Sequence, residues 1–149
     1  MIQFIGDLFP YTSLTPEGGY YTWVVNDTGV ASVKGTVVHA SSNVDRGVSL
    51  VPIDDPDPCG VVYDSGVPQG GIMRVVISGI AEVLYSTPVN RGTFARVPIG
   101  SDPSATPGQA IAEPLPSPPF ATDKHFLEVG HPVQTIASPG LALTVLHFN

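Results

Sequence analysis

The sequence predicts an all-β fold: a small β-barrel or sandwich of short antiparallel strands, with an extended N-terminal arm and a proline-rich loop. Three observations carry this expectation. Sixteen glycines and sixteen prolines in 149 residues leave little room for long helices, because these residues are the poorest helix formers. Short β-branched and aromatic runs recur along the chain, as half-buried strands require. Turn-forming clusters separate those runs at short intervals, the pattern of a sandwich or small barrel. With 42% hydrophobic and only 13% charged residues, the chain has the composition of a packed core rather than of a disordered polyelectrolyte.

Residues 1–19 read as an arm. Pro10, Pro16, Gly18 and Gly19 break any periodicity, yet Ile2, Phe4, Ile5, Leu8, Phe9 and Tyr11 are too apolar for a free tail. A single domain is expected over 20–149. Its first strand is 20–26 (YYTWVVN), closed by the turn signal Asn26-Asp27-Thr28-Gly29. Further strands are expected at 35–40, 47–53, 60–63, 72–78 and 80–85, with turns at Asp45-Arg46-Gly47, Asp64-Ser65-Gly66 and Gln69-Gly70-Gly71. Ser78-Gly79 divides the pair 72–78 and 80–85 and reads as a bulge or sharp bend. Met73, Val75 and Ile77 would share one face, and Ala81, Val83 and Tyr85 another, so this pair is the expected central, two-sided strand.

A strand at 93–99 precedes the loop 100–122, which holds Pro103, Pro107, Pro114, Pro116, Pro118 and Pro119 just after Pro98. A short helical turn fits near Pro107–Ala112, since proline is tolerated at a helix start. The remainder should be extended or polyproline-like. Strands at 126–130 and 141–148 close the domain.

Composition also excludes functions. The net charge is −7, from six Lys plus Arg against thirteen Asp plus Glu, and no window clusters three cations. Nucleic-acid and anionic-membrane binding, which rest on a cationic face, are not expected. The N-terminal MIQFIGDLFPYTS has neither a basic n-region nor a sustained apolar stretch, so neither a signal peptide nor an anchor is expected there. Cys59 is the single cysteine. It cannot form an internal disulfide and is expected to be a small buried apolar residue. Its neighbours Asp54, Asp55 and Asp57 should raise the thiol pKa rather than activate it. A reducing cytoplasm is the expected site of synthesis.

The constellations that could carry chemistry are sparse. In His125-x-x-Glu128-x-x-His131, Gly130 and Pro132 disfavour a helix. On a strand, the two histidines would share a face about 20 Å apart, with Glu128 pointing away. The expectation is surface or subunit-contact histidines and no metal. Asp54-Asp55-Pro56-Asp57-Pro58 lacks the glycine and distal glutamate of a calcium loop and reads as a solvated turn. No G-x-S-x-G occurs, and Ser78 lies mid-strand. Glu82 stands in an apolar strand and should be ion-paired, with Arg74, Arg91 or Arg96 as partner. His147 and the terminal Asn149 are only faintly like the end of a self-splicing element, and Met1 is not the nucleophile such an element needs. No catalytic residue, metal or cofactor is therefore expected.

Several segments nevertheless resemble one family. They are Lys34-Gly35-Thr36-Val37-Val38-His39-Ala40-Ser41, Gly60-Val61-Val62-Tyr63-Asp64-Ser65-Gly66-Val67-Pro68 and Val75-Val76-Ile77-Ser78-Gly79-Ile80-Ala81-Glu82-Val83-Leu84. Ala121-Thr122-Asp123-Lys124-His125-Phe126 and the closing Leu146-His147-Phe148-Asn149 extend the likeness. From Lys34 onward the chain is similar to the capsid cement or decoration proteins of tailed phages, while residues 1–19 fall outside it. The resemblance implies a non-enzymatic virion protein on the capsid exterior, made in the host cytoplasm, with the major capsid protein and copies of itself, as a homotrimer, for partners. The apolar arm (Ile2, Phe4, Ile5, Leu8, Phe9, Tyr11) and the segment Pro114, Leu115, Pro116, Pro118, Pro119 and Phe120 are the candidate contacts with capsid or neighbouring subunit. Proline segments ordered in advance lose little entropy on docking.

Two other functions compete. A glycan- or receptor-binding module of a phage head fibre or tail would stack sugars on Tyr20, Tyr21, Trp23 and Tyr85. A metal-dependent hydrolase would use His125, Glu128 and His131.

Overall fold

The computed structural model describes residues 13–118 and 126–148. Among these residues the chain is all-β, with nine strands: β1 (Gly19–Asn26), β2 (Val37–Ala40), β3 (Gly47–Leu50), β4 (Gly60–Val62), β5 (Ile72–Tyr85), β6 (Phe94–Arg96), β7 (Ile111–Glu113), β8 (Glu128–Pro132) and β9 (Gly140–Leu146). Each expected strand has its counterpart, mostly shortened at the ends. The runs 72–78 and 80–85 are one fourteen-residue strand, β5.

β5 organises the molecule because it belongs to two groups of strands. Its first half pairs with β1 and β4, and its second half pairs with β9. The pairs β1–β3, β3–β2, β2–β4, β4–β5 and β5–β1 form a cycle of five strands. Four of these pairs are antiparallel, but β1 and β3 run parallel, with Val25 opposite Gly47 and Asn26 opposite Val48. The purely antiparallel arrangement expected from sequence is corrected here for a geometric reason: strands cannot alternate up and down around a ring of odd number. The second half of β5 continues into an antiparallel sheet, in the order β5-β9-β8-β6-β7.

Two cores follow from this arrangement. Val38, Val48, Val62, Met73 and Val75, with Val24 packed against them, form one cluster. Each of the five strands of the cycle contributes to it, so this cluster fills the cycle's interior. The larger cluster includes Val37, Val61 and Val76, from the opposite faces of β2, β4 and β5. It joins them to Ala81, Val83, Tyr85, Ala95, Val129, Ala142 and Leu146 of the second sheet. The adjacent pairs Val37/Val38, Val61/Val62 and Val75/Val76 are all buried. Strands with two covered faces read as continuous apolar runs rather than as alternation. Each fully buried valine contributes roughly 1.5–3 kcal/mol.

The bend in β5 lies where the sequence places it. Gly79 has φ +82°, and a Cβ there would collide with the Gly18 carbonyl oxygen. The register with β1 steps from Val76 opposite Tyr21 to Ser78 opposite Tyr20. Ile77 is the residue skipped and is 47% exposed, so it does not join Met73 and Val75 in the core. On the far side of the bend, Ala81, Val83 and Tyr85 face inward, while Ile80 and Leu84 on the other face are half-buried.

The short helical turn expected near Pro107–Ala112 is absent. Gly108 adopts φ +78° beneath Leu50 and Thr36. Its N–H bonds to the Val51 carbonyl at 2.8 Å, and its own carbonyl accepts from Val37 N–H at 2.8 Å. These contacts hold 107–109 as a tight turn, and the chain leaves it through the bridge of Ala110 to Tyr85 and into β7.

Candidate functional site

Of the proposed contact residues, Ile2, Phe4, Ile5, Leu8, Phe9, Tyr11, Pro119 and Phe120 lie outside the described residues. Pro114, Leu115, Pro116 and Pro118 are described, and all four are exposed. Leu115 shows 57% of its surface to solvent. The segment follows directly on β7, the last strand in the order of its sheet among the described residues.

Cys59 is exposed, not buried. Pro58 and Gly60 on either side are buried, and strand alternation turns the residue between them outward. Partial desolvation of the thiol first, and the charges of Asp57 and Asp55 next, push its pKa up, which leaves it protonated and unreactive. The acidic run beside it is a hydrogen-bonded turn. Asp54 accepts from Gly100 N–H at 3.2 Å, Asp55 accepts from Asp57 N–H at 2.8 Å, and Asp55 also meets His39 Nδ1 at 2.9 Å.

The arginines named as partners for Glu82 do not include its actual one. Arg74 forks onto Asp64. Arg96, 2% exposed, reaches Asp102 at 2.7 and 3.0 Å and Glu113 at 3.0 Å. Glu82 sits on the outer face of β5 and pairs with Lys34 at 3.5 Å, while Lys34 also reaches Glu17 at 3.6 Å. The ion pair expected of Glu82 exists, with a lysine in place of an arginine.

Around Asp64 the chain assembles a cation–aromatic cluster. The Arg74 guanidinium lies 4.7 Å from the Tyr63 ring centre, 5.5 Å from Tyr21 and 5.8 Å from Trp23. Lys34 covers Tyr63 at 4.4 Å. Burial alone would raise the Asp64 pKa, but the hydrogen bonds and charge of Arg74 outweigh it and hold the carboxylate low. Of the four aromatics proposed to stack sugars, Tyr21 and Tyr85 are buried at 8% and 1% exposure. Tyr20 is 56% exposed and Trp23 is half-buried, so the four do not form a common platform.

The largest correction concerns Glu128 and His131. Regular alternation puts them on opposite faces of a strand, yet Glu128 Oε1 meets His131 Nε2 at 3.1 Å. β8 carries a bulge: Ala95 and Arg96 on β6 are consecutive, but they pair with Gly130 and Glu128, which are two apart. One extra residue reverses the alternation, so positions three apart share a side. His147, just beyond β9, brings its Nδ1 to within 3.0 Å of the same Oε1. His125 lies outside the described residues. Nothing in local sequence spacing could have selected His147; the signal is the antiparallel pairing of β8 with β9, which sets Gly130 opposite Leu146.

A cavity of about 210 Å³ opens between the 28–33 loop, Thr36, Leu50, Val62, Leu84 and Pro107–Gln109. No titratable side chain lines it, and neither Glu128 nor the histidines border it. It offers apolar contact and no acid–base chemistry.

No family model matches the chain, and no curated protein matches it. Among solved structures, the crystal structure of head fiber gp8.5 N base in bacteriophage phi29 matches with a TM-score of 0.57 at 15% identity, covering 85% of this chain and 92% of that one. At that identity the likeness is one of architecture: this chain shares the fold of a phage head-fibre base over most of its length.

Proposed function

We propose that the chain is a structural protein of a tailed-phage head, a decoration protein that binds the outer capsid surface and stabilises the shell without catalysis. The observation that carries this reading is the fold shared with the phi29 head fiber base over 92% of that chain. The motif resemblance to cement proteins from Lys34 onward points the same way. The physical character of the surface supports it. The described residues form two packed cores, and the exposed segment Pro114–Pro118 offers apolar side chains for docking against another protein. A homotrimer would repeat each such contact about a three-fold axis, and linked modest contacts give avidity to the capsid.

The test uses capsids assembled without this protein. Purified chain added to them should co-sediment, raise the temperature at which they release their DNA, and show a three-fold mass by light scattering. Leu115→Asp should weaken co-sedimentation while leaving the fold intact. Failure to associate with the capsids of its own phage would remove the proposal.

The same fold match favours one alternative, the base of a head fibre that presents a receptor- or glycan-binding part. Electron microscopy of the decorated capsids separates the two: a fibre base places projecting fibres at the bound positions, whereas a decoration protein leaves compact knobs.

A further inference from the structure

We infer that Glu128, His131 and His147 form a divalent-metal site, with Zn²⁺ as the preferred ion, which clamps the segment after β9 onto β8. Among the described residues, this is the one group of three metal-capable side chains whose ligand atoms all lie within 4.8 Å of one another. The inference stands apart from the capsid reading, since it rests only on this cluster.

The geometry converges on one point. The His131 Nδ1 lies 3.3 Å from the Thr93 carbonyl oxygen, and its Nε2 faces the Glu128 carboxylate oxygen at 3.1 Å. In the tautomer with its proton on Nδ1, the ring donates to Thr93 and turns the Nε2 lone pair toward the carboxylate, where a cation can sit between them. An imidazole that donates its second nitrogen to a backbone carbonyl is also the orientation that metal-bound histidines adopt. The His147 ring supplies a second nitrogen at 3.0 Å from the same oxygen, with its plane 32° from that of His131.

The donor set fits zinc. Two imidazoles and one carboxylate are borderline ligands that suit Zn²⁺ over Ca²⁺ or Mg²⁺, which need more oxygens. A tetrahedral ion with bonds near 2 Å spaces its ligand atoms about 3.3 Å apart. The two separations from Glu128 Oε1 are 3.1 and 3.0 Å, and the ligand nitrogens lie within 4.8 Å of each other, so small rotations of the imidazoles complete the site. Glu128, at 4% exposure, fixes the position, and water takes the fourth place. The ion would act as a fastener, joining β8 to the segment after β9.

The test takes untagged full-length protein, stripped with chelator, and titrates it with zinc chloride by calorimetry. One equivalent should bind with a micromolar or tighter dissociation constant. Cobalt(II) in place of zinc should give the intense visible absorption of a tetrahedral complex. His147→Ala lies at an exposed position and should fold normally, yet lower zinc affinity at least about 100-fold and abolish the cobalt spectrum. His39→Ala, a histidine outside the cluster, should change neither. No zinc uptake by the native protein, or equal uptake by His147→Ala and His131→Ala, would overturn the inference.

Discussion

The hydroxyls of Tyr85 and Thr144 meet at 2.6 Å inside the core and tie β5 to β9. Thr144 donates to its own neighbour, the Ala142 carbonyl, at 3.1 Å, so Tyr85 is the donor between the two hydroxyls. Thr144→Val therefore strands a buried phenol and should cost about 1–3 kcal/mol, whereas Tyr85→Phe removes only a donor and should cost about 0.5–1.5 kcal/mol. Urea unfolding of both variants checks the order. Burial also pushes the Tyr85 phenol well above the usual tyrosine range, so its ultraviolet titration should appear only as the protein unfolds in alkali.

Arg96 is 2% exposed and held between Asp102 and Glu113. Burial acts against its charge, but the two carboxylates more than compensate and raise its pKa. Arg96→Ala removes the buried cation from between the two acids and should cost about 3–5 kcal/mol. The triple change Arg96→Met, Asp102→Asn, Glu113→Gln should recover much of that loss, because the buried cation and its two carboxylates are then removed together. Thermal unfolding distinguishes a weak network from one whose members depend on each other.

Asp64 gives the acid limb a direction. Its folded pKa lies below the unfolded value, because the Arg74 hydrogen bonds outweigh burial. The stability it contributes is therefore complete above the unfolded carboxylate pKa of about 3.9 and is lost as pH falls through the lower folded value. Asp64→Asn should melt lower than wild type at pH 7, and the two should converge as pH falls through the lowered folded pKa. A constant difference across that window would mean that the Arg74–Asp64 pair contributes nothing to acid stability.

Much of the fold was legible in the sequence because β-branched runs and glycine turns are local signals. The bend at Gly79 and the grouping of Ala81, Val83 and Tyr85 on one face could be read directly from residue order. The strand β7 was not, since Ile111-Ala112-Glu113 is three residues long between prolines and carries no periodicity of its own. The parallel pairing of β1 with β3 was hidden for a different reason: it is imposed by ring closure, which no segment encodes alone. The candidate metal site failed at one residue. Regular alternation sends Glu128 away from His131, and only the bulge opposite Ala95 and Arg96 returns it. His147 arrives from nineteen positions away, beyond any spacing rule.

The five-stranded cycle has no open margin; among the described residues the second sheet ends at β7, whose start is already tied back to β5 through the bridge of Ala110 to Tyr85. An unpaired strand edge invites another chain to add to it, and proteins that must remain dispersed blunt such edges. Here β7 offers only three residues before Pro114, Pro116 and Pro118 follow, and each of these prolines lacks the N–H that a growing ladder requires. So short and proline-blocked an edge refuses strand-by-strand polymerisation, which keeps copies of the chain separate instead of fusing into fibrils.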